Sequence, residues 1–306
     1  MIRPKSIKQG SRIAIVSPAS IVKEEYIDGA VAYLATRGYE GVVMPHAKGP
    51  ADGCYAAGFE ERLDDLTKAW SDPEIDAVLC ARGGYGAAHL LPFIPADVQR
   101  ENPKWLIGFS DISALHAAEY HIGLQSLHAP MAKHLCEQPD NEATRALFDI
   151  LEGGKMNYKV ENRHPYNIIG RAEGTLIGGN LAVLNGLAST PFDILSASVC
   201  DGAILFIEDV SEAIYAVERM LWRLCMAGAL GGIKGLIVGR FTDYRPSKKF
   251  KAMDDMIYSL LARTGIGSIP VVFDFPVGHV DENLPMVHGA RVRLEVSESG
   301  ASLREV

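Results

Sequence analysis

The chain has 306 residues, 48% of them hydrophobic and 22% charged, so it is long enough for one large or two ordinary domains and too apolar to be disordered. A formal net charge of −8 and the lack of any Lys/Arg-rich run argue against a nucleic-acid partner. The five cysteines are scattered and form no C-x-x-C pair, which suits a reducing compartment and excludes a disulfide scaffold.

In chain order, residues 12–16 read as a buried strand that leads into the turn Ser17-Pro-Ala-Ser20. A helix is predicted over 24–37, with Ile27, Val31 and Leu34 on one face, and a strand over 41–44. Phe59, Leu63, Leu66 and Trp70 form a helical stripe. A third strand, 77–80, runs into Ala81-Arg-Gly-Gly-Tyr-Gly86, with a helix predicted over 87–93. The apolar run 105–109 is a fourth strand, ended by Ser110 and followed by a helix over 111–119. Strand and helix alternate at crossover spacing, so the N-terminal part is predicted to be a doubly wound, flavodoxin-like parallel sheet. Such sheets bind ligands beyond the carboxyl ends of their strands, where residues 82–86 and Ser110 fall.

From 146 to 170 the pattern weakens, and this stretch is predicted to link domains over 1–145 and 171–306. Beyond it, a helix is predicted to open at Gly178, with strands over 202–207, 234–239 and 270–275 and helices over 214–224 and 253–261. The two stretches 291–296 and 301–305, joined by Ser-Glu-Ser-Gly300, predict a terminal hairpin. The second domain is therefore expected to be mixed α/β. No stretch reaches the roughly 20 apolar residues of a membrane helix, and the N-terminus has no signal-peptide core. A cytoplasmic protein is expected, with no membrane partner.

Ser110 at a strand-to-helix turn has two readings. It caps the helix by accepting from a free N–H, or it is a nucleophile held out at the sheet edge with backbone N–H groups aimed at its target. The stretch Gly108-Phe-Ser-Asp-Ile112 departs from G-x-S-x-G, since Ile112 stands at the second glycine. A serine nucleophile needs a base, and the base an orienting group. Of nine histidines, His116 and His121 share the helix after Ser110 and are poorly placed. His279 follows a strand and the Gly278 turn, and is either functional or a satisfied loop histidine. Glu208, ending an apolar strand, is either solvated or aimed at a partner; Glu212 is a rival one helical turn on. The order Ser110, Glu208, His279 is compatible with a triad. Gly84-Tyr-Gly86 begins a dinucleotide fingerprint, but His89 occupies the third glycine position and the needed acid is missing near Asn102. A glycine turn here is better suited to offering an N–H to an oxyanion. No spacing resembles a metal site, and no cofactor is expected.

Seven stretches, taken together, resemble the LD-carboxypeptidase family, which includes murein tetrapeptide carboxypeptidases and microcin C self-immunity peptidases. They are Ala81-Arg-Gly-Gly-Tyr-Gly-Ala87, Gly108-Phe-Ser-Asp-Ile-Ser-Ala-Leu115, His128-Ala-Pro-Met131, Ala172-Glu-Gly-Thr-Leu-Ile-Gly-Gly-Asn-Leu181, Ile207-Glu-Asp-Val210, Val217-Glu-Arg-Met-Leu221 and Gly278-His279. They run in the family's order over nearly the whole chain. The resemblance implies a serine peptidase with Ser110 as nucleophile, His279 as general base and Glu208 orienting it, with the substrate in a groove between the domains. It implies an oxyanion hole from the N–H groups of Asp111 and Gly84, and Arg82 and Arg219 as candidates for holding the substrate carboxylate. It further implies an L,D-amide substrate such as a murein tetrapeptide ending in D-Ala, no cofactor or metal, and a homodimer. The alternatives are a microcin C-type immunity peptidase acting on an aminoacyl-nucleotide amide, and a non-catalytic small-molecule binding protein of the same fold.

Overall fold

A computed structural model describes residues 1–161 and 163–306. The chain divides into two compact units, Met1–Gly154 with Asp281–His288, and Lys155–Val280 with Gly289–Val306.

The first unit is built on strands β1 (Arg12–Val16), β2 (Glu40–Val43), β3 (Ala77–Cys80), β4 (Trp105–Gly108) and β5 (Ser126–His128), all parallel. Their order is β2-β1-β3-β4-β5, the flavodoxin-like order expected from the alternation of elements. The four residues of β3 and of β4 are all buried, so both read as continuous apolar runs, as central parallel strands must. Lys104 sets the entry to β4. Its buried ammonium donates to the carbonyls of Ala69 (2.7 Å) and Asp72 at the C-terminal end of the helix Phe59–Ser71, where the helix dipole favours a cation. That helix departs from its predicted stripe. Leu66 and Trp70 are buried, but Arg62 and Asp65 share the buried face while Phe59 and Leu63 are only partly covered. Three-residue β5 carried too short an apolar signal to be predicted.

The second unit is a seven-stranded sheet. Its strands are β6 (Asn157–Val160), β7 (Gly170–Asn180), β8 (Ala203–Val210), β9 (Gly235–Thr242), β10 (Val271–Val272), β12 (Arg291–Ser297) and β13 (Gly300–Glu305). The order is β10-β9-β8-β7-β12-β13-β6, parallel from β10 to β7 and antiparallel from there on. This is the mixed α/β unit expected, and the terminal hairpin is β12–β13. Three expectations change. The 146–170 stretch is not a bare linker: it holds the end of the helix Glu142–Leu151 and the edge strand β6. Residues 281–288 leave the second unit, and β11 (Met286–His288) pairs antiparallel with β5 in the first sheet. The chain crosses between units directly after His279 and Val280. Residues 178–180 are strand, not helix; β7 runs eleven residues and the helix Leu181–Gly186 follows, N-capped by the Asn180 side chain (3.1 Å to the Val183 N–H).

β7 was hidden by its glycines, and packing explains Gly174 and Gly178. Gly178 has φ +142°, and a Cβ there would fall 1.9 Å from the Phe206 carbonyl oxygen of β8. Around Gly186 a Cβ would meet nothing within 4 Å. Gly178→Ala is therefore expected to destabilise by on the order of 3 kcal/mol, read as a clear drop in thermal midpoint. Gly186→Ala should leave the midpoint unchanged or raise it, since alanine is the better helix former by about 1 kcal/mol.

Candidate active site

Ser110 follows the carboxyl end of central strand β4. Phe109 is still extended, and Ser110 then takes a φ of +65°, a left-handed conformation that a residue with a Cβ adopts at a cost of about 1–3 kcal/mol. A turn of 3₁₀ helix (Ser110–Ile112) leads into the helix Ser113–His121. Strained geometry at a sharp strand-to-helix turn is what a nucleophile elbow requires and a simple helix cap does not. The departure at Ile112 has a packing explanation. A Cβ on Gly108 would fall 3.0 Å from two side-chain carbons of Ile112, so Ile112 folds back over the glycine that opens the elbow. Beneath it, the buried His116 bonds the Gly108 carbonyl (2.8 Å) and the Ser126 hydroxyl (2.8 Å). A carbonyl only accepts, so Nε2 carries the proton and Nδ1 accepts from Ser126. Burial pushes the His116 pKa down to about 4, which keeps the ring neutral as a brace.

The glycine turn after β3 lies against the serine. A Cβ on Gly83 would sit 2.8 Å from Ser110 Cβ and 3.0 Å from both Ser110 Oγ and the Asp111 nitrogen. At Gly84, whose N–H is the expected oxyanion donor, a Cβ would fall 2.4 Å from Ser20 Oγ. The Asp111 side chain is buried and accepts from the Ala87 N–H (2.8 Å). Arg82 is exposed and donates to the Ile21 carbonyl (3.1 Å).

In the second unit, Glu208 and His279 come together. The fully buried Glu208 carboxylate accepts from His279 Nδ1 at 2.7 Å through Oε2. A carboxylate accepts only, so His279 holds its proton on Nδ1 when neutral and presents Nε2 as the basic atom. Burial disfavours the imidazolium, but the attraction and hydrogen bond of Glu208, with Asp209 and Asp243, win and raise the His279 pKa above its ordinary value. Two local features permit this pair. The β8–β9 register shifts between Ile207 and Asp209, and such an irregularity re-aims side chains at a strand end. Gly278 (φ +123°) leaves the space: a Cβ would fall 2.8 Å from Glu208 Cβ and 2.9 Å from its Oε2. The partner of His279 is thus Glu208, not Glu212.

Asp209, missed in the sequence, is also buried. It accepts from Asn180 Nδ2 (3.0 Å), the Val210 N–H (2.9 Å) and the Ala182 N–H (2.9 Å), fixing the start of the helix Leu181–Gly186. Burial and the neighbouring Glu208 raise its pKa to about 7. Arg219 is exposed on the helix Ile214–Met226, its guanidinium 5.9 Å from the Tyr215 ring centre. Among the described residues, His46, Asp64 and Asp65 form a group with metal-ligand spacing that separation in sequence had hidden. Both Asp65 oxygens already serve His46, through its N–H (2.9 Å) and Nδ1 (3.0 Å), and Asp64 pairs with Lys68 at 2.6 Å. A cleft of about 620 Å³ beside β6 and β13 includes none of the residues discussed above as catalytic.

Residues 13–129 match the LD-carboxypeptidase N-terminal domain and residues 173–294 the LD-carboxypeptidase C-terminal domain. The chain belongs to the LD-carboxypeptidase family. It is 32% identical to the murein tetrapeptide carboxypeptidase of Pseudomonas aeruginosa over 93% of both chains. The crystal structure of a muramoyltetrapeptide carboxypeptidase from Oxalobacter formigenes superimposes with a TM-score of 0.85 at 29% identity, covering 96% of this chain and 98% of that one. The microcin C7 self-immunity protein MccF shares the fold, with a TM-score of 0.87 at 21% identity over 100% of this chain and 98% of that one. Family membership makes the protein a serine carboxypeptidase, a hydrolase.

The acid limb of activity should report His279. With His279 as the general base its neutral form would be the active one, and kcat/KM is then expected to fall as pH drops through the raised pKa. Glu208→Gln removes the attraction and keeps the burial, which moves that limb to lower pH. If Glu208 orients that base, the same variant should lower the maximal rate by about 10⁴-fold, the scale for losing a triad carboxylate. A pH–rate profile of both enzymes checks shift and loss together.

Proposed function

We propose that the protein removes the terminal D-Ala from a murein tetrapeptide, cutting the L,D-amide after meso-diaminopimelate, as a step of cell-wall recycling. The reading rests on the close relatives named for this reaction and on the chemistry of the proposed triad. The single observation that carries it is the buried Glu208–His279 hydrogen bond of 2.7 Å, which leaves Nε2 as the only basic atom of the ring.

In this reading Ser110 Oγ attacks the diaminopimelyl carbonyl while His279 Nε2 takes its proton. The tetrahedral oxyanion accepts from the Asp111 N–H and from an N–H of the glycine turn, Gly84 or the adjoining Gly83. Collapse breaks the amide bond, and the imidazolium returns its proton to the leaving amine of D-Ala. Water, deprotonated by His279, then hydrolyses the acyl-enzyme and frees Ser110. Arg82 and Arg219 are the proposed partners of the D-Ala carboxylate. The chemistry needs no cofactor, and the proposed setting is a cytoplasmic homodimer working on small peptides. Among the described residues no helix is long and apolar enough to cross a membrane.

Mass spectrometry of a mixed panel, with tetrapeptide, pentapeptide and a processed microcin analogue, tests the substrate. The tetrapeptide should lose one D-Ala and the others persist. Preferential cleavage of the aminoacyl-nucleotide would replace this reading with the immunity-peptidase one. Ser110→Ala should abolish release while keeping the unfolding transition; full turnover in that variant would end the nucleophile assignment.

A further inference from the structure

The glycine turn beside Ser110 is held at four backbone polar groups. The Gly83 carbonyl accepts from the Ser20 N–H (3.3 Å), and the Tyr85 N–H donates to Ser20 Oγ (3.1 Å). The Gly86 carbonyl accepts from Arg62 Nη1 (3.2 Å), and the Ala87 N–H donates to Asp111 Oδ2 (2.8 Å). The last two groups belong to one peptide bond, that joining Gly86 to Ala87. A buried cation grips its oxygen and a buried anion its hydrogen, and the anion is the residue after Ser110.

Arg62 does more than hold that oxygen. Its Nη1 also donates to the Pro18 carbonyl (2.7 Å), in the loop after β1 that carries Ser20, and its Nε to the Ala57 carbonyl (3.1 Å). The guanidinium carbon lies 4.7 Å from the Tyr55 ring centre. Every hydrogen bond of this side chain goes to a backbone carbonyl, although it is only 3% exposed. A buried charge is a costly way to fill space that an apolar side chain would fill. What the guanidinium supplies is a rigid planar fork that fixes three separate backbone segments at once, which an ammonium does not reproduce. Gly86 (φ +118°) is shaped to that fork: a Cβ there would fall 2.8 Å from Tyr55 ring carbons and 3.1 Å from Arg62 Nη1.

We propose that Arg62 is a positioning residue for the reaction: with the Asp111 carboxylate it clamps the peptide bond between Gly86 and Ala87, and so sets the glycine turn against Ser110. The inference rests on the reading of Ser110 as nucleophile. Arg62 acts through the turn, which in the proposed mechanism offers the oxyanion an N–H of Gly83 or Gly84, and not by touching substrate. Loosening that turn costs transition-state stabilisation on the scale of one oxyanion donor, about 10²-fold.

The test compares wild type, Arg62→Met and Arg62→Lys by two measurements on the full chain. Amide hydrogen exchange reads the turn, and the rate of Ser110 labelling by a fluorophosphonate, which forms an Oγ–P bond with loss of fluoride, reads the nucleophile. Arg62→Met should speed exchange of the 83–87 amides at least tenfold while the helix Ser113–His121 keeps its protection. It should slow labelling about 10²-fold, with Arg62→Lys recovering part of both. Exchange at the wild-type rate in the turn, or labelling at the wild-type rate despite faster exchange, overturns the proposal. Wild-type protein that fails to label would end the Ser110 reading, while exchange would still decide the clamp.

Discussion

A carboxylate held wholly out of water must be compensated, and the Glu208 side chain is compensated by one imidazole. Its Oε2 accepts from His279 Nδ1, and its Oε1 has no hydrogen-bond partner among the described residues. That single charge-assisted bond fixes the tautomer, orientation and raised basicity of His279 together. Much of the second unit accommodates it. The β8–β9 register shifts at Glu208, Gly278 lacks a side chain that would strike the Glu208 carboxylate, and Asp209 next door is held by a helix start.

The first unit solves a different problem, which is to hold a hydroxyl in strained backbone without letting the strain relax. Ser110 is pinned from below by the His116 brace on Gly108 and from the side by the glycine turn. Both supports use buried polar groups whose partners are fixed backbone atoms. Strain of a few kcal/mol persists only where the surroundings over-determine it. The density of such bonds around this turn fits that requirement.

Much of this was legible in the sequence, for identifiable reasons. Buried parallel strands are uninterrupted apolar runs, so β1, β3, β4, β8 and β9 announced themselves, and residues at their carboxyl ends were the natural candidates. Ser110 and Glu208 stand at such ends. What the sequence concealed falls into three kinds. Strand β7 carries four glycines, of which Gly174 and Gly178 stand where its backbone closes on β8 and the residue before it, and they erase its propensity signal. Strands β5 and β11 have three residues each, and pairing rather than composition defines them. Arg62 and Asp65 lay outside the apolar stripe of their helix, because a charge buried on backbone carbonyls or on a distant histidine leaves no periodic trace. That a Cβ on Gly83 would meet Ser110 while one on Gly84 would meet Ser20 was equally hidden, since the sequence does not tell which way each glycine of a turn faces.

The account stands on one distance, that from Ser110 Oγ to His279 Nε2 when the enzyme holds a covalent phosphonate on the serine. A crystal structure of that adduct measures it directly. The account predicts hydrogen-bond range, about 3 Å, with Glu208 still bound to Nδ1. A separation beyond about 6 Å, too long for one bridging water, or a phosphonate attached to any other residue, would contradict it.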